Sequence, residues 1–99
     1  MLEEFLRTNP ADAFARYGLA LECVNAGDTA EAEGHFRRLM ADHPEYVPGY
    51  YHFGQLEARM GNGAEAARIF RAGVETARKA GDSHALSELE AALEEVSAG

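Results

Sequence analysis

Apolar residues recur along this chain at helical spacing. From Phe14 to Val24, the residues Phe14, Tyr17, Leu19, Ala20, Leu21, Cys23 and Val24 give a broad apolar surface. Near the far end Leu86, Leu89, Leu93 and Val96 fall on one stripe, and Glu88, Glu90, Glu94 and Glu95 surround it. No segment alternates apolar and polar residues as a half-buried strand does, so the pattern predicts an all-α fold.

Punctuation residues divide this pattern into helices. Asn9 and Pro10 are expected to open one helix, as cap and first helical residue, and it runs to about Asn25. Gly27 suits the left-handed residue that ends it. Asp28 with Glu31, and again Asn62 with Glu65, have the spacing of a capping box. Pro44 and Pro48 bracket the turn into a helix over about 48–60. A longer helix is predicted over 63–80, and Gly81-Asp82-Ser83 leads into a last one over about 83–97. Linkers this short predict antiparallel hairpins.

The phrase AGDTAEAEGHFRRL, starting at Ala26, returns as MGNGAEAARIFRAG, starting at Met60. At a shift of 34, Gly27 matches Gly61, Ala30 Ala64, Glu31 Glu65, Ala32 Ala66, Phe36 Phe70 and Arg37 Arg71. The phase reaches further. Pro10 lies 34 before Pro44 and Leu2 lies 34 before Phe36, so Leu2–Thr8 reads as the second helix of a unit whose first helix is missing.

A helix-turn-helix unit of this period resembles the tetratricopeptide repeat. The first repeat, about 13–46, then places Leu19 and Ala20 at positions 7 and 8, Gly27 at 15, Ala32 at 20, Phe36 at 24, Leu39 at 27 and Pro44 at 32. The second, about 47–80, places Tyr50 at 4, Phe53 and Gly54 at 7 and 8, Gly61 at 15, Ala66 at 20, Phe70 at 24 and Gly73 at 27. It departs from the family pattern at three places. Arg16 stands at position 4 of the first repeat, Cys23 and Glu57 stand where the family has tyrosine at 11, and Arg78 replaces proline at 32. The last departure predicts an extended second helix. The resemblance implies an α-solenoid of antiparallel hairpins: two repeats, an N-terminal half unit and a C-terminal cap helix, together one domain over 1–99.

It also implies a protein-interaction module whose first helices line a concave groove. The family's usual contact positions fall on Phe14, Tyr17, Leu21, Val24 and Asn25 in the first repeat. In the second they fall on Pro48, Tyr51, Gln55, Ala58 and Arg59, with His52 beside them. The lysine and asparagine of the subclass that grips a peptide carboxylate are replaced by Tyr17 and Leu21. The apolar first set is expected to serve a peptide or partner protein, to pack against the Leu2–Thr8 helix, or to seal a homodimer. Two repeats fall below the about three that an independent solenoid usually needs, which favours association.

Composition narrows the class. An apolar fraction of 46% argues against disorder. A net charge of −8 disfavours nucleic acid and anionic membranes. The charge is uneven: residues 45–80 carry four acids and five bases, and residues 81–99 five acids and no base. That acidic run is expected to be the solvated face of a cap, with a docking site for a basic partner as the other reading. The start, MLEEFLRTNP, lacks the basic and apolar regions of a signal peptide, no apolar run reaches membrane-spanning length, and the lone Cys23 requires no oxidising compartment. A cytoplasmic location is expected.

Candidate chemistry is sparse. His35, His43, His52 and His84 never lie three or four apart, so no helix face presents a ready pair of imidazole ligands. No metal or cofactor is expected. His52 reads as a partly exposed packing residue, Cys23 as a small buried hydrophobe, and every carboxylate pair as lying on an exposed face. An enzyme is not expected.

Overall fold

A computed structural model describes residues 2–98 of the chain, which form six α-helices. These are α1 (Leu2–Thr8), α2 (Ala13–Ala26), α3 (Thr29–Asp42), α4 (Val47–Arg59), α5 (Gly63–Ala80) and α6 (Ser83–Ala98). Among the described residues there is no strand. The helices group into two compact units, one up to Pro44 and one from Glu45.

In the first unit α2 pairs with α3 and α1 packs on α2. Leu6, Ala15, Leu19, Ala20, Cys23, Ala32, Phe36 and Leu39 are its buried apolar residues. Cys23 is therefore buried, as expected. The short α1 meets α2 at Gly18, where an added Cβ would stand 3.1 Å from Leu2 Cδ1. In the second unit α5 packs on both α4 and α6, and α4 also reaches α6. Tyr50, Phe53, Leu56, Ile69, Phe70 and Leu89 are buried there. At 18 residues α5 outruns the 14 of α3, as the absence of a proline at Arg78 predicts.

Gly27 and Gly81 cap α2 and α5 with φ of 82° and 70°, and Gly61, at 84°, follows the Met60 cap of α4. A side chain there would crowd the following backbone, so the left-handed turn falls to glycine. Each turn also satisfies the last carbonyls. Gly27 N–H reaches Val24 O at 3.1 Å, and Asp28 N–H reaches Cys23 O at 2.9 Å.

The start of α2 corrects the sequence reading. Its cap is Asp12, whose Oδ1 accepts from Ala15 N–H at 2.7 Å. Asn9 instead closes α1: its backbone N–H and its side-chain Nδ2 both donate to Phe5 O, at 2.8 and 3.1 Å. An aspartate three residues before a free amide out-competes the Asn-Pro pair because its carboxylate also meets the positive helix end. The two capping boxes are corrected as well. Asp28 and Asn62 occupy the cap positions, yet neither side chain bonds its helix. Asn62 Nδ2 donates to Glu57 Oε1 at 3.0 Å, and Glu65 takes a two-pronged contact from Arg68 at 2.8 Å.

Glu57, at the position where the family has tyrosine, is a buried carboxylate. It is only 1% exposed, and the Asn62 amide helps to hold it. A buried carboxylate needs such donors, since it has left water behind.

Candidate functional site: a cleft between α4 and α6

The sequence-predicted contact residues fall in two places. Tyr51, Gln55, Ala58 and Arg59 of α4 line one wall of a cleft of about 430 Å³. Glu88, Ala91, Ala92, Glu95 and Val96 of α6 form the other wall, and Phe70 of α5 is at its floor. All of these belong to the second unit. On an α-helix Tyr51, Gln55, Ala58 and Arg59 fall three to four residues apart, so one stripe presents them together. The cap helix then gives this stripe a facing wall with two alanines, where side chains are too small to close the gap.

The α4 wall is held in place. Gln55 Nε2 donates to Tyr51 Oη at 2.9 Å, and the Tyr51 ring lies 6.4 Å from that of Phe70, tilted by 42°. His52 does not line the cleft. It is half-buried, with its ring edge-on to Tyr51 at 5.4 Å. Burial pushes its pKa down, and Glu88 opposes part of that shift.

The acidic run on α6 divides. Glu88 and Glu95 rim the cleft, Glu90 approaches Arg78 at 3.9 Å, and Glu94 is exposed. All four are exposed, as the reading of a solvated face expects, and Glu88 and Glu95 stand where that face borders the cleft. Helical spacing alone could have flagged them, because Glu88, Ala91, Ala92, Glu95 and Val96 share one side of α6.

The first-repeat residues lie on α2. Phe14 is 73% exposed and Asn25 is exposed, whereas Tyr17, Leu21 and Val24 are half-buried. The α1 helix therefore does not cover Phe14. Phe5, at 45%, also keeps much of its ring in solvent.

The tetratricopeptide repeat family model matches residues 24–93. The chain belongs to the tetratricopeptide repeat family. A tetratricopeptide repeat-containing protein of Pseudomonas aeruginosa is 31% identical over 88 residues, which is 89% of this chain and 84% of that protein. The crystal structure of a tetratricopeptide repeat domain protein from Salinibacter ruber superposes with a TM-score of 0.84 at 35% identity, covering 87% of this chain and 97% of that one. A solution structure of a Salinibacter ruber tetratricopeptide repeat domain protein gives 0.85 at 36%, covering 88% of each chain. A Bordetella parapertussis protein matches at a TM-score of 0.82 and 22% identity, over 97% of this chain and 84% of that one, and shows the fold alone. Proteins of this family generally mediate protein-protein interaction and are typically non-enzymatic modules.

One further group of side chains could hold an ion. Ligand atoms of Cys23 on α2 and of Glu31 and His35 on α3 lie within 4.8 Å of one another. Searching for histidine pairs missed this cluster, because it holds one histidine and its thiol comes from the neighbouring helix.

Proposed function

We propose that this protein is a non-catalytic adaptor, and that the cleft between α4 and α6 anchors a segment of a partner protein. The observation that carries this is the cleft itself. Its floor and α6 wall offer Phe70, Ala91, Ala92 and Val96 to an apolar side chain, while Glu88 and Glu95 stand at its rim. That combination suits an apolar residue flanked by a lysine or arginine. Gln55 and Arg59 supply donors for the carbonyls of an extended or helical segment. The exposed Phe14 face of α2 is a second contact surface.

A selection from a random peptide library against the purified chain tests this. Peptides pairing an apolar with a basic residue should be enriched. Their affinity, by fluorescence anisotropy, should fall on Tyr51→Ala and on the charge reversal Glu95→Lys. Tyr17→Ala reports separately on α2. A monomer whose peptide binding is unmoved by Tyr51→Ala and Glu95→Lys sinks the proposal.

The exposure of Phe5 and Phe14 favours a second reading, a homodimer sealed through the first unit. Light scattering should then give about twice the 10.7 kDa chain mass. Dilution should lower the melting temperature, since association stabilises the folded state by mass action.

A further inference from the structure

We propose that Cys23, Glu31 and His35 form a binding site for a divalent transition-metal ion of the zinc class, and that Arg16 guards it. The site lies in the first unit, apart from the cleft. Two of its donors, Glu31 and His35, are four residues apart and so share one face of α3, and Cys23 on α2 supplies the third. The donor set mixes thiolate, imidazole and carboxylate, a combination that zinc accepts and that calcium or magnesium does not favour.

The depth of the three donors is graded. Cys23 is buried, His35 half-buried and Glu31 exposed, so an ion can enter along Glu31 and meet the thiol last. Around zinc, bonds of about 2.0–2.3 Å would set neighbouring donor atoms roughly 3.3–3.6 Å apart. The present separations, up to 4.8 Å, must therefore close by about 1 Å, within reach of side-chain rotation at the exposed Glu31. Three protein donors leave a fourth position for water.

The charge around the thiol is negative. Burial raises the Cys23 pKa, and the fields of Glu31, Asp28, Glu3 and Glu22 raise it further. These carboxylates resist a bare thiolate but favour a dication, whose binding displaces the thiol proton to solvent. Burial and then Arg16 lower the His35 pKa, while Glu31 and Glu3 oppose them.

Arg16 sets the condition for binding. Its Nη1 lies 3.1 Å from His35 Nδ1, and its Nη2 donates to Pro10 O at 3.5 Å. A guanidinium can only donate, so Nδ1 accepts and Nε2 bears the ring proton. An ion has two routes to this ring. It can take Nδ1 in place of Arg16, or take Nε2 while the proton moves to Nδ1. Either route breaks the Arg16–His35 bond, so metal and guanidinium exclude one another.

Cobalt(II) titration of the full, metal-free chain tests this, with zinc as the competitor. The expected result is a thiolate-to-cobalt charge-transfer band that zinc abolishes, with zinc raising the melting temperature. Cys23→Ser should remove the band. Glu31→Gln and His35→Gln should weaken zinc binding by more than about tenfold, a loss that even an outer-shell partner can produce. Arg16→Gln should tighten it several-fold. Glu94→Gln, on α6, should change nothing. Circular dichroism checks that each variant folds. If Cys23→Ser does not, Glu31→Gln decides, because its side chain is exposed. Absence of the thiolate band, or zinc bound equally well by Cys23→Ser or Glu31→Gln, overturns the site. Weaker binding by Arg16→Gln overturns the guard.

Discussion

At position 8 of the repeat the first hairpin carries Ala20 and the second Gly54. At position 27 they carry Leu39 and Gly73. Ala20 and Leu39 are wholly buried, so the first hairpin fills these places with its own side chains. The second has no side chain at either place, and other residues close in on them. A Cβ on Gly54 would stand 2.6 and 2.7 Å from Cδ1 and Cζ of Phe70. One on Gly73 would stand 2.7 Å from Tyr50 Cβ and 2.9 Å from Leu89 Cδ2. Phe70 thus lies against Gly54 within the hairpin, whereas at Gly73 the cap helix brings in Leu89 from outside it. Close packing can be met by different residues at equivalent places of a repeat.

The exchange has a structural consequence. Gly73 lets α6 seat Leu89 against α5, and seated there α6 faces α4 across the cleft. Position 11 also differs. In the first hairpin Cys23 lies beside donors on α3. In the second Glu57 is drawn into the bond with Asn62 that helps to brace the α4–α5 turn.

The comparison can be broken most strongly at the matched phenylalanines. Phe36→Ala and Phe70→Ala should each cost about 3–5 kcal/mol by urea unfolding, as buried aromatics do. Only Phe70→Ala should also widen the cleft and change peptide affinity. An effect on affinity from Phe36→Ala as large as that from Phe70→Ala would deny the hairpins their separate roles.

The glycine contact sharpens the comparison next. Gly54→Ala should cost about 1–3 kcal/mol, because the new methyl overlaps the Phe70 ring. In the Phe70→Leu background the same change should cost less, a coupling that a double-mutant cycle reads directly. Ala20→Gly in the first hairpin should cost about 1 kcal/mol through backbone entropy. Additive behaviour of Gly54→Ala and Phe70→Leu would mean that the two do not touch.

The helix caps should rank below this. Asp12→Ala removes an observed bond to Ala15 N–H and should cost about 1 kcal/mol. Asp28→Ala, at a cap whose side chain makes no such bond, should cost measurably less. Equal costs would return both aspartates to the same role.

The smallest effect concerns acid. Burial holds His52 below the ordinary histidine pKa of 6.5, so the unfolded chain takes up its proton first. The resulting stability is fully present above 6.5 and is lost as pH falls from there through the lowered value. His52→Gln should flatten the unfolding midpoint across that window relative to the parent chain. An unchanged slope would show that the ring pays no desolvation penalty in the fold.

Local chemistry, written in the sequence, determined the helices, the glycine turns and the register of the repeat. Left-handed turns demand glycine, helical periods of three to four residues demand apolar spacing, and the 34-residue shift repeats both. Phe36, Phe70 and Cys23 were legible as interior residues on those grounds, and Tyr51, Gln55 and Arg59 as members of one surface. Tertiary packing alone decided the rest. Asn9 and Asp12 can each cap a helix, and only the placement of α1 shows that Asn9 bonds backward. Glu57 looks like any surface carboxylate until Asn62 meets it inside the fold. Glu88 and Glu95 became a rim because Leu89 seats α6 where Gly73 leaves room. The grouping of Cys23 with Glu31 and His35 is a distance between two helices. Sequence spacing carries no such distance, because a side chain's neighbours across a hairpin depend on how closely the two backbones approach.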